Sequence, residues 1–570
     1  MALFIYIFMT PLEAFKTYYG YQAFRPMQEE VINSVLAGHD TLALMPTGAG
    51  KSLTFIIPTL ISNRTTKSVT LVISPLIALM KDQVRSLKKR NIFASAIYTG
   101  MSYDNQRVAL DNCLYGPYPF LYVSPERLES EDFLARLNQL PIGLIVVDEA
   151  HCICEWGYDF RPAYLNIRNL IAEDGISAQW SHCINGQALQ RPAILALTAT
   201  ATPVVETDIV NQLALKNPVV FKTSFRRPNL RYVVRHCENK DAKLQQLQHI
   251  LSCVPGTAIV YVRNRKRAEE LATLLKATFY HAGLDAKTRS ECQEAWQQGR
   301  ERIIVCTNAF GMGIDKPDVR LVVHFDLPDS IEAYFQEAGR AGRDGLQSYC
   351  VLLFAKEDEA KVLRRIDTNY PPTEFVETVY HKLSDYFTIG AGSGLGHSFT
   401  LHMDEFLRAM HLPLLPTLSA LHILDRAGYI RFEEERESPP RLMINIPLNE
   451  LRKLTATDGS DLLDRLLRTH SGLMTDLQPL YEPLAEAELC ELSSLAARDI
   501  VTYVPRSTAP RVTYIQERQE TIFIPPIVYE SRQEHYSSRL RTMLNYALTY
   551  NDRSSADETE TYLVNYFGER

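Results

Sequence analysis

The sequence predicts an α/β protein of two parallel-sheet lobes, followed by a winged-helix-like region and a mixed C-terminal segment. Three observations carry this expectation. Short apolar runs recur between about residues 41 and 354: TLALM, VTLVISP, PFLYVSP, GLIVVDEA and AILALTAT, then GTAIVYV, RIIVCT, VRLVVHF and YCVLLF. They lack polar alternation and are separated by amphipathic stretches, as expected of strands buried on both faces in helix-covered parallel sheets. The runs also form two sets, with a break near residues 221–230. Past residue 365 the order becomes helix, turn, helix and then a two-stranded hairpin through HMDEFLRAMHLPLLPTLSALHILDRAGYIRFEEERESPPRLMINIP, which fits a winged helix. That hairpin carries Glu433, Glu434, Glu435 and Glu437, which repel phosphate, so a packing or partner surface is as open as DNA contact.

At 570 residues, the chain has room for about three or four domains. The expected organisation is a misassigned start over 1–8, lobe one over 9–222 and lobe two over 223–365. A linker and winged-helix-like domain follow over 366–455, then a C-terminal region over 456–570. A net charge of −7 excludes a histone-like basic coat but not a local basic groove. Ten cysteines without a CxxC pair do not form a disulfide framework, and reduced thiols in a cytoplasmic protein are expected. The opening MALFIYIFMT is well under the roughly 20 residues of a membrane span, so no membrane association is expected. The polar stretch 177–192 reads as a surface loop.

MPTGAGKS (45–52) follows an apolar run and precedes LTFIIPTL, the strand–loop–helix setting of a phosphate-binding loop. Thr47, Gly48, Ala49 and Gly50 offer backbone N–H groups to phosphate oxygens. Lys51 supplies a point charge and Ser52 a hydroxyl for Mg²⁺, although Met45 stands where the usual GxxxxGK[ST] has its first glycine. LIVVDEAH (144–151) is a buried strand ending in two carboxylates. Asp148 suits Mg²⁺ and Glu149 suits an attacking water, so together the motifs read as nucleoside triphosphate hydrolysis. In QEAGRAGRDG (336–345), Arg340 and Arg343 are placed to stabilise transferred-phosphoryl charge from the second lobe.

Over roughly residues 14–365 the chain resembles the RecQ-type DNA helicases of superfamily two. The resemblance rests on GYQAFRPMQ, MPTGAGKS, VISPLIALMKDQV, YVSPERL, DEAHCICEWGYDFRP, LTATAT, SFRRPNLRY, TNAFGMGIDKPDVR and QEAGRAGRDG, in that order. It implies two RecA-like lobes forming an ATP-driven motor with Mg²⁺, acting on single-stranded and duplex DNA, in the 3′→5′ direction, in repair, recombination or replication. It implies that Tyr21 stacks on adenine while Arg25 and Gln28 read the base edge, and that Gly311 and Asp315 link the nucleotide to the DNA path. His151, Trp156, Asp159, Phe160 and Arg161 are the implied DNA-coupling set, with aromatic faces for base stacking. Cys154 and Tyr158 depart from the Ser and His common there, and Tyr158 cannot take a proton near neutrality.

The C-terminal ETYLVNYFGER resembles part of the family's four-cysteine zinc module, with Glu558 near the position of its first cysteine. Zinc takes about four suitable ligands, and residues 351–570 contain one cysteine, Cys490. No structural zinc is expected, the module being either decayed or cut short. The remaining alternatives are a DEAH-type RNA helicase and a nucleic-acid-binding adaptor with a vestigial ATPase.

Overall fold

The computed structural model describes residues 9–46, 48–98, 100–154, 160–171, 183–184, 187–188, 191–310, 316–433, 441–446, 462, 465, 478–479, 486–498, 500–504 and 510–569. Two compact units divide them: residues 1–366 with 532–570, and residues 367–531.

The first unit holds both lobes. In lobe one, β1 (Thr41–Leu44), β2 (Val69–Ile73), β3 (Ala94–Ile97), β4 (Phe120–Val123), β5 (Ile142–Val147), β8 (Ala193–Thr198) and β9 (Val219–Lys222) form a sheet in the order β3-β4-β2-β5-β8-β1-β9. Every pairing is parallel. The short strands β6 (Cys183–Ile184) and β7 (Gln187–Ala188), within the segment read as a loop, pair only with each other.

Both faces of this sheet are buried, as the unbroken apolar runs require. Leu42, Leu44, Leu71, Ile73, Ile145 and Val147 enter one core, and Ala43, Val72, Leu144 and Val146 enter the other. In lobe two, β10 (Leu230–Cys237), β11 (Thr257–Tyr261), β12 (Thr278–Tyr280), β13 (Ile303–Cys306), β14 (Val319–His324) and β15 (Ser348–Ala355) form a second all-parallel sheet, ordered β10-β15-β14-β11-β13-β12. Helices cover its faces too: Ile259 and Val322 enter one core, Ala258, Val260 and Val323 the other. In a parallel sheet every strand delivers its C-terminal end to the same edge, so the loops leaving each lobe gather there.

The second unit is winged-helix-like, but its wing differs from the expected hairpin. Helix Thr373–Tyr386, β16 (Ser398–Thr400), helices Met403–Met410 and Leu414–Arg426, then β17 (Ile430–Glu433), follow the winged-helix order. The expected hairpin joined β17 to β18 (Arg441–Ile444). Instead β17 pairs antiparallel with the distant β21 (Arg511–Tyr514), giving a sheet ordered β16-β21-β17. The reason is burial: Ile430 and Phe432 face a core already occupied by Val512 and Tyr514, and Tyr514 Oη meets Ser384 Oγ at 2.9 Å. This register sets Glu433 opposite Arg511. Glu434, Glu435 and Glu437 lie outside the described residues. Strand β18 pairs with β19 (Gln478–Pro479) and β20 (Val501–Val504), and these belong to a small core of Leu442, Ile444, Leu492, Leu495 and Val501.

The span 456–570, expected as one region, is divided by its contacts. Up to Ser531 it belongs with the winged-helix unit, and from Arg532 it belongs with the two lobes. Helix Glu530–Thr549 sends Leu540, Met543, Leu544 and Tyr546 into the lobe-two core, and helix Ala556–Tyr566 adds Leu563 and Val564. Glu558, singled out for its place near a zinc-ligand position, serves a capping box. Its carboxylate accepts from Ser555 N at 2.9 Å while its own N–H donates to Ser555 Oγ at 3.2 Å. Phe567 stacks on Phe225 at 4.9 Å between centroids, and Glu569 accepts from Phe225 N at 2.8 Å. Among the described residues, no helix is long and apolar enough to cross a membrane, and no three His, Cys, Asp or Glu side chains are grouped as metal ligands.

Phe567→Ala should cost roughly 3–5 kcal/mol, the usual range for truncating a buried aromatic, and should lower the urea midpoint of the lobe-two transition. An unchanged midpoint would mean that the terminal helix adds nothing to that core.

Candidate active site

At the C-terminal end of β1, Met45 N donates to Thr198 O at 3.0 Å, extending the strand by one residue, and the Met45 side chain is fully buried in the core. The position where the usual motif has glycine is therefore a strand end that needs no unusual dihedral. Gly48 and Gly50, both at φ +83°, do need one. A Cβ on Gly50 would collide with the Gln28 amide, and one on Gly48 would sit 3.1 Å from Arg343 Cγ. The loop thus touches lobe two. Ser52 stands at the start of helix Leu53–Thr66 without a side-chain cap bond, its hydroxyl accepting from Gln83 Nε2 at 3.3 Å, and the N-terminal dipole end of this helix favours an anion.

The loop is braced from the N-terminal segment. Arg25 Nη1 donates to Gly48 O, and Gln28 Nε2 donates to Ala49 O (3.1 Å) and Gly50 O (3.2 Å). Gln28 is fully buried, and its Oε1 accepts from Arg25 N at 2.9 Å. Tyr21 is half exposed, its ring 5.2 Å from that of Phe15. The residues assigned by resemblance to adenine are thus mechanically joined to the phosphate loop.

Strand β5 ends in the acid pair. Asp148 is buried, with its N–H donating to Ile73 O at 2.9 Å and its carboxylate accepting from Ser74 Oγ at 3.4 Å. Burial first, and the Glu149 charge second, push its pKa up to about 7 against the pull of Lys51. Two buried carboxylates side by side draw positive charge into the cleft, where Lys51 already stands. Asp148 and the Ser52 hydroxyl are hard oxygen donors lining the same cleft, the type Mg²⁺ takes, so the donor set fits that ion.

Glu149 stands at φ +48°, a left-handed conformation that costs a non-glycine residue about 1–2 kcal/mol. Its carboxylate lies 3.5 Å from His151 Nδ1, and that nitrogen is 2.9 Å from Thr198 Oγ1 at the end of β8. His151 thus connects the acid pair with LTATAT.

From lobe two, Gln336, Arg340 and Arg343 line the same cleft as Lys51, Ser52, Asp148 and Glu149, a cavity of about 610 Å³. Helix Ile331–Ala338, N-capped by Ser330, delivers them. The turn after it is pinned by residues to which the motifs assigned no role. Arg227 Nη2 donates to Gly342 O (2.9 Å) and Ala341 O (3.2 Å), and Asn229 Nδ2 donates to Gly342 O at 2.7 Å. Gly342, at φ +56°, has no room for a Cβ beside Leu346 O at 2.9 Å. Arg227 and Asn229 belong to SFRRPNLRY, yet nothing local in that string shows which carbonyls they reach.

Of the coupling set, Arg161 Nη1 donates to Pro75 O at 2.9 Å, tying the aromatic loop to the start of VISPLIALMKDQV. Tyr164 Oη donates to Asp148 O at 2.8 Å. The Phe160 ring faces the Arg532 guanidinium, 5.2 Å from its centroid, a contact only the returning C-terminal helix could supply. Thr47, Trp156, Asp159, Gly311 and Asp315 lie outside the described residues.

Comparison with known proteins matches each lobe to a helicase domain. The family described as DEAD/DEAH box helicase matches residues 25–207, and the helicase conserved C-terminal domain matches residues 242–345. ATP-dependent DNA helicase RecQ of Haemophilus influenzae is 40% identical over 380 residues, 66% of this chain and 58% of that protein. RecQ of Bacillus subtilis is 42% identical over 349 residues, 60% of this chain and 55% of the relative. The chain therefore spans a little over half the length of these relatives. Among solved structures, Mss116p bound to single-stranded RNA and AMP-PNP matches at a TM-score of 0.51 with 20% identity, covering 63% of this chain and 74% of that one. The DUF1998 helicase MrfA bound to DNA and AMPPNP matches at 0.51 with 20% identity, covering 62% and 52%. These structures share the two-lobed fold.

Arg227→Ala takes the Arg227 donor from Ala341 O and one of the two donors from Gly342 O in the turn that presents Arg340 and Arg343, at about 1–3 kcal/mol. The expected result is at least tenfold slower triphosphate hydrolysis, with nucleotide affinity changed less than turnover. Steady-state turnover beside titration with a fluorescent nucleotide separates the two.

Proposed function

We propose that the chain is a RecQ-family helicase of superfamily two, an ATP-dependent DNA helicase that moves 3′→5′ along single-stranded DNA and unwinds duplexes; its similarity to RecQ proteins and its two helicase domains support this reading. The supporting observation is the shared cleft. Lys51, Asp148 and Glu149 of one lobe and Arg340 and Arg343 of the other line a single cavity, so a triphosphate there is gripped from both sides. Repair, recombination or replication is the proposed setting, and the cytoplasm the proposed location.

Each side chain has a definite task in this reading. Tyr21 stacks on the base, and Arg25 and Gln28, which hold the loop carbonyls, relay base contact to the phosphates. Loop N–H groups and Lys51 hold the β- and γ-phosphates. Ser52 and Asp148 hold Mg²⁺, which when bound supplies charge that stabilises the transferring phosphoryl group. Glu149 orients the attacking water and takes its proton. Arg340 and Arg343 stabilise charge as it develops, and because they come from lobe two, hydrolysis releases one lobe from the other. Trp156 and Phe160 receive bases of the single strand, and Arg161 transmits their position through Pro75. For Phe160 this requires the Arg532 guanidinium to yield its place.

Lys51→Ala or Glu149→Gln should lower ATP turnover at least a hundredfold, in the range measured when one electrostatic stabiliser is removed, with an unchanged melting profile. Equal rates in Lys51→Ala and the unmodified chain would leave only the adaptor reading. Trp156→Ala is expected to keep basal turnover and lose most stimulation by single-stranded DNA. Loss of basal turnover as well would remove that residue from DNA coupling. Running the stimulation assay with RNA alongside DNA separates the DNA from the RNA helicase, and tailed duplexes of both polarities report direction.

A further inference from the structure

The motif VISPLIALMKDQV carries a glutamine out of keeping with its surroundings. Helix Ile77–Lys88 follows β2, and its Met80 and Leu87 are buried in a core of lobe one. Gln83 stands three residues after Met80 and four before Leu87, so it shares their face of the helix. An amide in an apolar stripe needs partners for both of its ends. Its Nε2 donates to Ser52 Oγ at 3.3 Å, while its Oε1 is buried and makes no hydrogen bond among the described residues.

Gln83 lines the cleft that holds Lys51, Ser52, Asp148 and Glu149. The segment leading to it is tied to the acid pair as well. Asp148 N donates to Ile73 O at 2.9 Å, and Ser74 Oγ donates to the Asp148 carboxylate at 3.4 Å. One residue on, Pro75 O accepts from Arg161 Nη1 at 2.9 Å. The run from Ile73 to Gln83 therefore meets both side chains assigned to Mg²⁺, Asp148 through its first two residues and Ser52 through its last. Because the Ser52 side chain does not cap its own helix, the Gln83 amide is what orients its hydroxyl. The hydroxyl oxygen accepts one bond from Gln83 and keeps a second lone pair for a cation.

A buried acceptor left without a donor is costly, and a partner that arrives with the ligand removes the cost. Mg²⁺ gives up water reluctantly and usually keeps several molecules, whose O–H groups are donors. We propose that Gln83 is a positioning residue for Mg²⁺: Nε2 holds the Ser52 hydroxyl ready as a ligand, and Oε1 accepts from water that the ion brings. Partners one step out from a metal fix the orientation of its ligands, and their loss costs about 10–100-fold in metal affinity or activity. This inference rests on reading Ser52 and Asp148 as the Mg²⁺ donors of an ATPase.

The test is Gln83→Met in the full chain, which keeps the length of the side chain, suits the apolar stripe and removes the amide. Gln83→Leu is the second variant should the first not fold. Mg²⁺ is titrated against a fluorescent ADP, so the readout needs no turnover. The Mg²⁺ concentration giving half of the metal-dependent gain in nucleotide binding should rise about tenfold. Affinity for the same nucleotide in EDTA should stay within about twofold, and the melting temperature should not fall. In a Ser52→Ala background the same substitution should shift the Mg²⁺ midpoint less than about threefold, because the hydroxyl it holds is gone. An unshifted midpoint, a loss of affinity in EDTA as large as that with Mg²⁺, or an equal tenfold shift without the Ser52 hydroxyl would overturn the assignment. An unmodified chain whose nucleotide binding ignores Mg²⁺ would instead overturn the metal site, and this inference with it.

Discussion

A carboxylate held out of water is the constraint on which the rest of this motor depends. Asp148 ends a fully buried strand, beside a second carboxylate and a single lysine, and its pKa is driven up to about 7. An ionised acid in that position is stabilised by nearby positive charge, and Lys51 of lobe one and Arg340 and Arg343 of lobe two line the same cleft. The lobes, the loop and the arginine turn can all be understood as the scaffold that brings positive charge to that point from separate parts of the chain. Glu149 adds a second cost, a left-handed backbone at φ +48°, which the surrounding β5 and β8 ends hold in place.

Parallel sheets make this economical. Because β1, β5 and β8 are neighbours running in one direction, the phosphate loop, the acid pair and LTATAT emerge side by side, although about 150 residues separate the first from the last. Lobe two repeats the arrangement, with the ends of β11, β13 and β14 meeting around Arg340. The same geometry brings Tyr261, Phe310 and His324 together although each lies on a different strand or strand exit.

The C-terminal forty residues show how a segment read by resemblance can serve another purpose. ETYLVNYFGER is a helix and turn docked on lobe two, and its acids cap backbone groups of SFRRPNLRY: Glu560 accepts from Arg227 N at 2.8 Å and Glu569 from Phe225 N. Arg227 in turn holds the arginine turn. The terminal helix is thus connected, through one residue, to the turn that carries Arg340 and Arg343, and Arg532 of the preceding helix reaches the Phe160 ring.

The motor's two sheets, its phosphate loop, its acid pair and its arginine turn were legible in the amino-acid order because each depends on local chemistry. A strand apolar on both faces, a glycine that must adopt positive φ and a carboxylate pair at a strand end all leave their mark within about ten residues. What the fold alone decided are the pairings between distant segments. Alternation identifies the inward face of β17 but not its partner, so β21, nearly eighty residues on, could not be distinguished from the nearer β18 until the shared core of Val512 and Tyr514 was seen. Likewise, nothing in SFRRPNLRY announces that Arg227 braces Gly342, nor does β11 announce that Tyr261 donates to Phe310 O. A hydrogen bond between residues many positions apart becomes specific only when two buried surfaces have closed around it.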